Sequence, residues 1–406
     1  MSATPWLLSF RHPRVHWVRS ALTVFAMGLA FFLLCFLISL LTTLNAAVSQ
    51  ASSERLFMQS SVSLYVDLPR DYAPKIRATP GVRDMTPFQW FGGYYQKPEN
   101  FLAEFGVEPD SFFSMYEREL RIVEGPGGAT GEAAHAAAVA AMRADRRACL
   151  IGADLARDPK FGWKVGDTVP LIGTIYQQED GSAWEFTVVG VYEPLRSNVD
   201  GRTIWFRHDY LLEMLDSGQA TGPDGIGAFA IQLEPGADAA TVIAALDEQF
   251  ASGPQRTLTS TEAAFQASFV SMMGNVPKFV SMVGGAIVVA VFFAVINAML
   301  LAGRQRIGET GILKALGFSD AAIGRAMLGE AALLTTQGVA LGLLLTKGTE
   351  VGLRANFGTF LPNYEVADGT LAIGIAALAA VGLISGAVPA LLLARLRPQE
   401  AMRHEG

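Results

Sequence analysis

The chain has 406 residues, 51% of them hydrophobic and 17% charged, with a formal net charge of −7. Its length allows two or three domains, and the apolar excess points to a membrane protein that also carries a sizeable water-exposed part. The acidic balance argues against a nucleic-acid partner, which wants a basic face. The two cysteines, Cys35 in an apolar run and Cys149 in a polar stretch, fit no metal pattern and are expected to stay unpaired.

Residues 1–20 form a basic, aromatic segment with Trp6, Arg11, Arg14, Trp17 and Arg19, which reads as cytoplasmic and interfacial. His12 and His16 have a spacing that a metal on a helix can use. Pro13 disturbs that turn and no third ligand type is near, so membrane-surface contact is the better reading and no metal is expected. Crossing the hydrocarbon core takes roughly 20 apolar residues in a helix, and 21–44 is the first such run. It is too long for a signal-peptide core despite Ala46 and Ala47 after it, so it reads as an uncleaved anchor.

Residues 45–277 are expected outside the cytoplasm and are enough to bury a core of their own. Alternating or β-branched runs predict strands over 62–66, 185–192 and 227–233, and helical patterns predict helices over 71–78, 148–157 and 237–250. This alternation gives an α+β domain. Gly125-Pro126-Gly127-Gly128 and the Ala-rich stretch to Ala141 read as a flexible or weakly helical insertion. The aromatic runs at 88–95 and at Phe112-Phe113 read as core rather than as a partner surface. His135 and His208 have no evident nucleophile beside them, and no catalytic constellation is visible.

Three further spans follow, at 278–302, 327–345 and 371–393, separated by a cytoplasmic segment at 303–326 and a short outside loop at 346–370, with a cytoplasmic tail at 394–406. The third span is the weakest, because Glu330 and Gln337 interrupt it and Gly338 and Gly342 lower its helix propensity. Arg304, Arg306, Lys314 and Arg325 before that span, and Arg395, Arg397 and Arg403 after the last, place both termini in the cytoplasm. Glu330, near the cytoplasmic end of its span, reads as a snorkelling or capping carboxylate rather than a relay. Gly338, Gly342 and Gly348 point to close helix approach in a bundle or dimer. The expected fold class is therefore a membrane α-helical chain of four transmembrane helices, with an extracytoplasmic α+β domain inserted between the first and second spans.

The segment 303–326 holds two short helical pieces parted by Gly317, with Ser319 as N-cap of the second. Ile312, Leu313 and Leu316 share one face of the first piece while Glu309, Thr310 and Lys314 are polar. On these residues alone it is either a solvated connector or a helix that docks in a partner's groove.

The run Ile307-Gly308-Glu309-Thr310-Gly311-Ile312-Leu313-Lys314-Ala315-Leu316-Gly317 resembles the R-E-I-G-I-x-K-A-L-G signature of the FtsX-like permease domain, which MacB-type and LolC/LolE-type ABC permeases share; Thr310 stands where the signature has Ile. Arg19-Ser20-Ala21-Leu22-Thr23 resembles the family's R-S-x-L-T. Residues 150–156, 161–168 and 186–192 resemble the MacB-type periplasmic domain, and 389–403 resembles the family's C-terminal ending. The resemblance implies that Ile307, Gly308, Glu309, Gly311, Ile312, Lys314, Ala315, Leu316, Gly317 and Phe318 couple the chain to an ABC ATPase. These 406 residues hold no G-x-x-x-x-G-K-[ST] phosphate loop, so no cofactor is expected on this chain and ATP with Mg is expected on the partner. The family further implies a bacterial inner-membrane protein, a homodimer or a heterodimer with a second permease, a periplasmic adaptor in MacB-like systems, and no enzymatic activity of the chain's own. The work implied is export driven by ATP-powered movement of the outside domain, with lipoprotein release or regulation of a periplasmic enzyme as alternatives.

Overall fold

The computed structural model describes residues 17–196, 199–272, 314–357 and 364–394, with residue 312 and helical stretches inside 278–297. The chain divides into two compact units, one built from Thr43–Met273 and Arg354–Asn363, the other from Met1–Thr42, Gly274–Leu353 and Tyr364–Gly406.

Helix α1 (Trp17–Gln50) leads, after only four residues, into β1 (Arg55–Ser60). Then come α2 (Tyr72–Arg77), β2 (Val82–Trp90), β3 (Gly93–Tyr94) and β4 (Ala103–Val107). Helix α3 (Pro109–Tyr116) is followed by β5 (Leu120–Gly125), β6 (Ala129–Thr130), α4 (Glu132–Ala144), β7 (Ala148–Gly152) and α5 (Ala153–Arg157). Next are β8 (Thr168–Gly173), β9 (Gln177–Gln178), β10 (Trp184–Pro194), β11 (Thr203–Arg207) and α6 (His208–Asp216). The unit closes with β12 (Ala220–Thr221), β13 (Ala228–Leu233), α7 (Ala239–Gln249), β14 (Thr257–Thr261) and α8 (Glu262–Met272).

The main sheet runs β14-β1-β13-β2-β4-β11-β7-β10-β5-β6, with β8 beside β10 and β3 beside β8. Its pairs are antiparallel except β4–β11 and β7–β10. Strand β2 joins the two halves, because residues 82–88 pair with β13 while Gln89 and Trp90 pair with β4.

The period-2 alternation of strand side chains sorts neighbouring residues into different cores. In β7, Cys149 and Ile151 join Phe91, Trp184, Phe186 and Phe206 on one face. Ala148 and Leu150 join Phe112, Ala138, Met142 and Trp205 on the other. In β1, Leu56 and Met58 pack with Tyr72, Ile76, Phe229 and Leu246 under α2 and α7. Phe57 faces the opposite way and stacks on Phe265 of α8, ring centroids 4.5 Å apart. The aromatic runs belong to these cores, as their composition implies: Phe91 alone meets Tyr176, Trp184, Phe186 and Phe206.

Three expectations for this unit need correction. Residues 62–66 form a turn and not a strand, with Tyr65 92% exposed. Ser60 and Ser63 hydroxyls accept the Val62 and Tyr65 amides, both at 3.2 Å, and this local bonding competes with a ladder. The strand lies just upstream, where β1 buries side chains on both faces. Residues 148–157 are not one helix, because Ala148–Gly152 is fully buried between β10 and β11 and only Ala153–Arg157 is helical. The Ala-rich insertion is a well-formed helix, α4. Ala134, Ala138 and Met142 at i, i+4 and i+8 give it a buried stripe small enough to lie close on the sheet.

In the second unit, α9 (Asp320–Phe357) and α10 (Asp368–Ala394) extend beyond the apolar runs that announced them. Among the described residues three stretches are long and apolar enough to cross a membrane: Ser20–Thr43, Asp320–Leu353 and Asp368–Ala387. Most of the expected span at 278–302 lies outside the described residues. Met27, Phe31 and Cys35 of α1 pack against Ala331 and Leu334 of α9 and Leu378 of α10. A Cβ on Gly338 would stand 2.6 Å from the Cβ of Met27, and one on Gly342 equally close to that of Phe31, so these glycines are what lets α9 approach α1. Gly348 has open space around it. Glu330 does not snorkel but is buried, because it shares a face of α9 with Met327, Ala331 and Leu334.

Candidate functional site

Of the residues expected to contact an ATPase, Ile307, Gly308, Glu309 and Gly311 lie outside the described residues. The rest show a short helical end followed by a sharp break. The Leu316 amide donates to the Ile312 carbonyl at 2.9 Å and the Gly317 amide to the Lys314 carbonyl at 3.0 Å. Gly317 has φ +90°, the left-handed conformation that ends a helix and that only glycine adopts without strain. Ser319 then caps α9, its hydroxyl accepting the Ala322 amide at 3.3 Å. Lys314 meets Asp320, in the first turn of α9, at 2.8 Å, tying the two helical pieces together across the glycine. Asp320 sits where the helix dipole favours an acid. Ile312 and Leu316, one turn apart, are 53% and 72% exposed. Ala315 is exposed beside them and Phe318 half-buried. The helical end thus presents apolar side chains outward while its lysine is engaged within the chain.

The mixed α/β unit has a cleft of about 600 Å³ where the two halves of the sheet meet, floored by Met85, Val107, Ile226 and Phe229. Its rim is charged but paired. Arg77 binds Glu108, Arg143 meets Asp110 at 2.5 Å, and Arg70 meets Asp216 at 2.8 Å. Arg207 donates to Asp209 at 2.9 Å and to the Met142 and Arg143 carbonyls at 3.0 and 2.6 Å, closing the C-terminal end of α4. His208, at the start of α6, is only 5% exposed, and its Nε2 has no hydrogen-bond partner among the described residues. Burial, reinforced by Arg70, pushes its pKa down to about 4, so the ring is neutral at neutral pH. Elsewhere in the unit burial holds Glu104 well above the usual carboxylate range, although the Gly93 amide donates to it at 3.0 Å. Burial also lifts Asp200 to about 7.

No group of three or more His, Cys, Asp or Glu among the described residues could hold a metal. His12 and His16 lie outside the described residues. His135 packs edge-on against Phe113, ring centroids 5.5 Å apart, which explains its place on α4 without chemistry. Cys35 and Cys149 are both buried and free. The cleft residues were not legible as a group in the sequence, since Arg70, Arg77, Arg143 and Arg207 come from separate elements that only the sheet brings together.

Comparison with known proteins agrees with this architecture. Residues 20–249 match the family described as MacB-like periplasmic core domain, and residues 281–398 match FtsX-like permease C-terminal. A macrolide export ATP-binding/permease protein MacB of Bradyrhizobium diazoefficiens is 32% identical over 155 residues, covering 37% of this chain and 21% of that protein. One from Campylobacter fetus is 24% identical over 222 residues, 54% of this chain and 34% of that protein. The chain thus spans between about a fifth and a third of the length of these relatives. The periplasmic region of MacB from Actinobacillus actinomycetemcomitans superposes with a TM-score of 0.38 at 10% identity, over 55% of this chain and 95% of that one. With a MacB-like periplasmic core domain followed by an FtsX-like permease C-terminal region, the chain belongs to the FtsX/MacB-type ABC permeases.

Proposed function

We propose that the chain is the membrane subunit of an inner-membrane ABC transporter that converts ATP hydrolysis on a separate ATPase, where ATP and Mg bind, into movement of its periplasmic domain. It works as a dimer, with itself or with a second permease, and both termini are cytoplasmic. The movement serves export from the periplasm or the inner membrane, with a periplasmic adaptor as further partner.

The observation that carries this reading is how directly the sheet joins the helices on either side of it in the chain. Four residues separate α1 from β1, and β14 passes into α8 without any loop. A flexible tether of Gly and Ser would absorb a displacement, whereas helices that continue into strands of the sheet pass it on. The exposed pair Ile312 and Leu316 supports the ATPase contact, since an amphipathic helix with an open apolar face suits a groove on a partner.

The test is ATP turnover in nanodiscs by the chain co-expressed with a candidate ABC ATPase, wild type against Glu309→Ala, Leu316→Asp and a Lys314→Ala/Phe318→Ala variant. A stable complex that the variants dissociate or uncouple supports the reading. Failure of any ATPase to co-purify, with the periplasmic domain binding a protein by itself, replaces it with a receptor or scaffold.

A further inference from the structure

The chain passes from α1 into the sheet of the periplasmic domain through residues 51–55 and from the sheet into α8 at Glu262. These two roots meet. In the β1–β14 register Leu56 stands opposite Thr261, which brings Arg55 across from Glu262. The Arg55 side chain, 1% exposed, donates from Nε to Glu262 Oε2 at 3.1 Å. The Ser52 amide donates to that same oxygen at 2.8 Å, and Gln266 on the next turn of α8 donates to Oε1 at 3.2 Å.

The other edge of the guanidinium reaches the far half of the sheet. Nη2 binds Glu119, in the turn between α3 and β5, and Nη1 donates to the Met115 carbonyl at 3.5 Å. The plane of the group lies over the Tyr116 ring, 3.9 Å from its centroid. Glu119 and Glu262 are both buried. One planar cation therefore touches the segment after α1, the first turn of α8 and the α3–β5 turn.

The choice of residue matters mechanically. Apolar contacts can slide past one another at small cost, but a rigid fork bound to two buried carboxylates has one good arrangement. A slip leaves buried charge unpaired, and that penalty is large. Burial by itself disfavours the Arg55 charge; Tyr116, Glu262 and Glu119 around it more than restore it.

We propose that Arg55 is a positioning residue that locks the two roots of the periplasmic domain to each other and to the α3–β5 half, so that a displacement delivered through either root moves the whole domain. The proposal rests on the mechanical reading of function above and names the joint through which that movement passes.

Hydrogen exchange read by mass spectrometry on the full chain in nanodiscs separates the two. Without ATPase, Arg55→Gln speeds exchange in residues 51–60, 116–125 and 257–272 together, by roughly tenfold or more, as loss of one partner of a buried pair implies. Arg55→Lys, which keeps the charge but not the fork, loosens 116–125 more than the roots. Glu119→Gln, a milder change that keeps shape, does the same. Faster exchange confined to the residues flanking Arg55 overturns the lock, whatever ATP does. With the ATPase bound, adding ATP changes protection in all three segments of the wild type and only in the two roots of Arg55→Gln. Loosening of all three segments by Arg55→Gln, with no response of the wild type to ATP, keeps the lock and sinks the mechanical reading of function instead.

Discussion

Gly338→Ala places a single methyl group where the sequence pattern and the packing make opposite demands. In an isolated helix the change from glycine to alanine favours folding by about 1 kcal/mol. Here the new Cβ would sit 2.6 Å from the Cβ of Met27, against ordinary carbon–carbon contacts of about 3.5–4.0 Å. Both atoms are bound directly to helix backbone, so relief requires α1 and α9 to part by the better part of an ångström. Overpacking of this kind costs about 1–3 kcal/mol. The net effect should be destabilising by up to about 2 kcal/mol, the clash outweighing the propensity gain. Gly348→Ala, with nothing near its Cβ, keeps the gain and loses nothing, so it should stabilise slightly. The two buried free thiols provide the assay. In a Cys149→Ala background, a thiol-reactive fluorophore reports on heating when Cys35, packed against these helices, becomes accessible. The expected result is a lower midpoint for Gly338→Ala and an unchanged or higher one for Gly348→Ala. Equal shifts in the same direction would refute the claim that Gly338 is a packing requirement.

Leu316→Asp should leave the thermal midpoint of the chain unchanged, since the side chain is exposed, while abolishing co-purification with the ATPase; a variant that still co-purifies removes Leu316 from the interface. Phe206→Ala removes a ring lying between Phe91 and Phe186, at centroid distances of 5.6 and 5.0 Å, and should cost about 3–5 kcal/mol, read from denaturant unfolding followed by tryptophan fluorescence. His208, with a pKa of about 4 in the fold against 6.5 unfolded, binds fewer protons when folded, so the domain should lose stability as pH falls from 6.5 towards 4. His208→Gln should flatten that loss in a thermal-midpoint series over the same pH range. Asp200 works in the opposite sense, since its folded pKa of about 7 exceeds the ordinary 3.8 and its contribution is lost as pH rises through that window. Asp200→Asn should therefore raise the midpoint at pH 7.5 more than at pH 4.5.

Legibility in the sequence followed how local the deciding interaction was. The break at Gly317 and the cap at Ser319 depend on residues within one turn, and both stand where local chemistry put them. The helices 72–77 and 239–249 and the strands 184–194 and 228–233 were visible for the same reason, their apolar spacing being a property of neighbouring residues. The run 148–152 was not. Ala-Cys-Leu-Ile-Gly is apolar throughout, a pattern that a buried helix and a buried strand share, and only pairing with β10 and β11 makes it a strand. Residues 62–66 carry the β-branched and aromatic composition of a strand, yet no neighbouring strand receives them, and the serines around them close a turn instead.

By itself the sequence determined three long apolar helices among the described residues, the mixed α/β composition of the domain, and the family motif in the segment ahead of α9. Each rests on hydropathy or on spacing within a short window. Only the tertiary structure decided that Gly338 and Gly342 face α1 while Gly348 does not, that Glu330 turns inward, and that four separate arginines rim one cleft. It alone decided, too, that Arg55, Glu119 and Glu262 meet. Those residues lie 64 and 207 positions from Arg55 along the chain, and nothing short of the completed sheet register brings three charges so far apart into one buried contact.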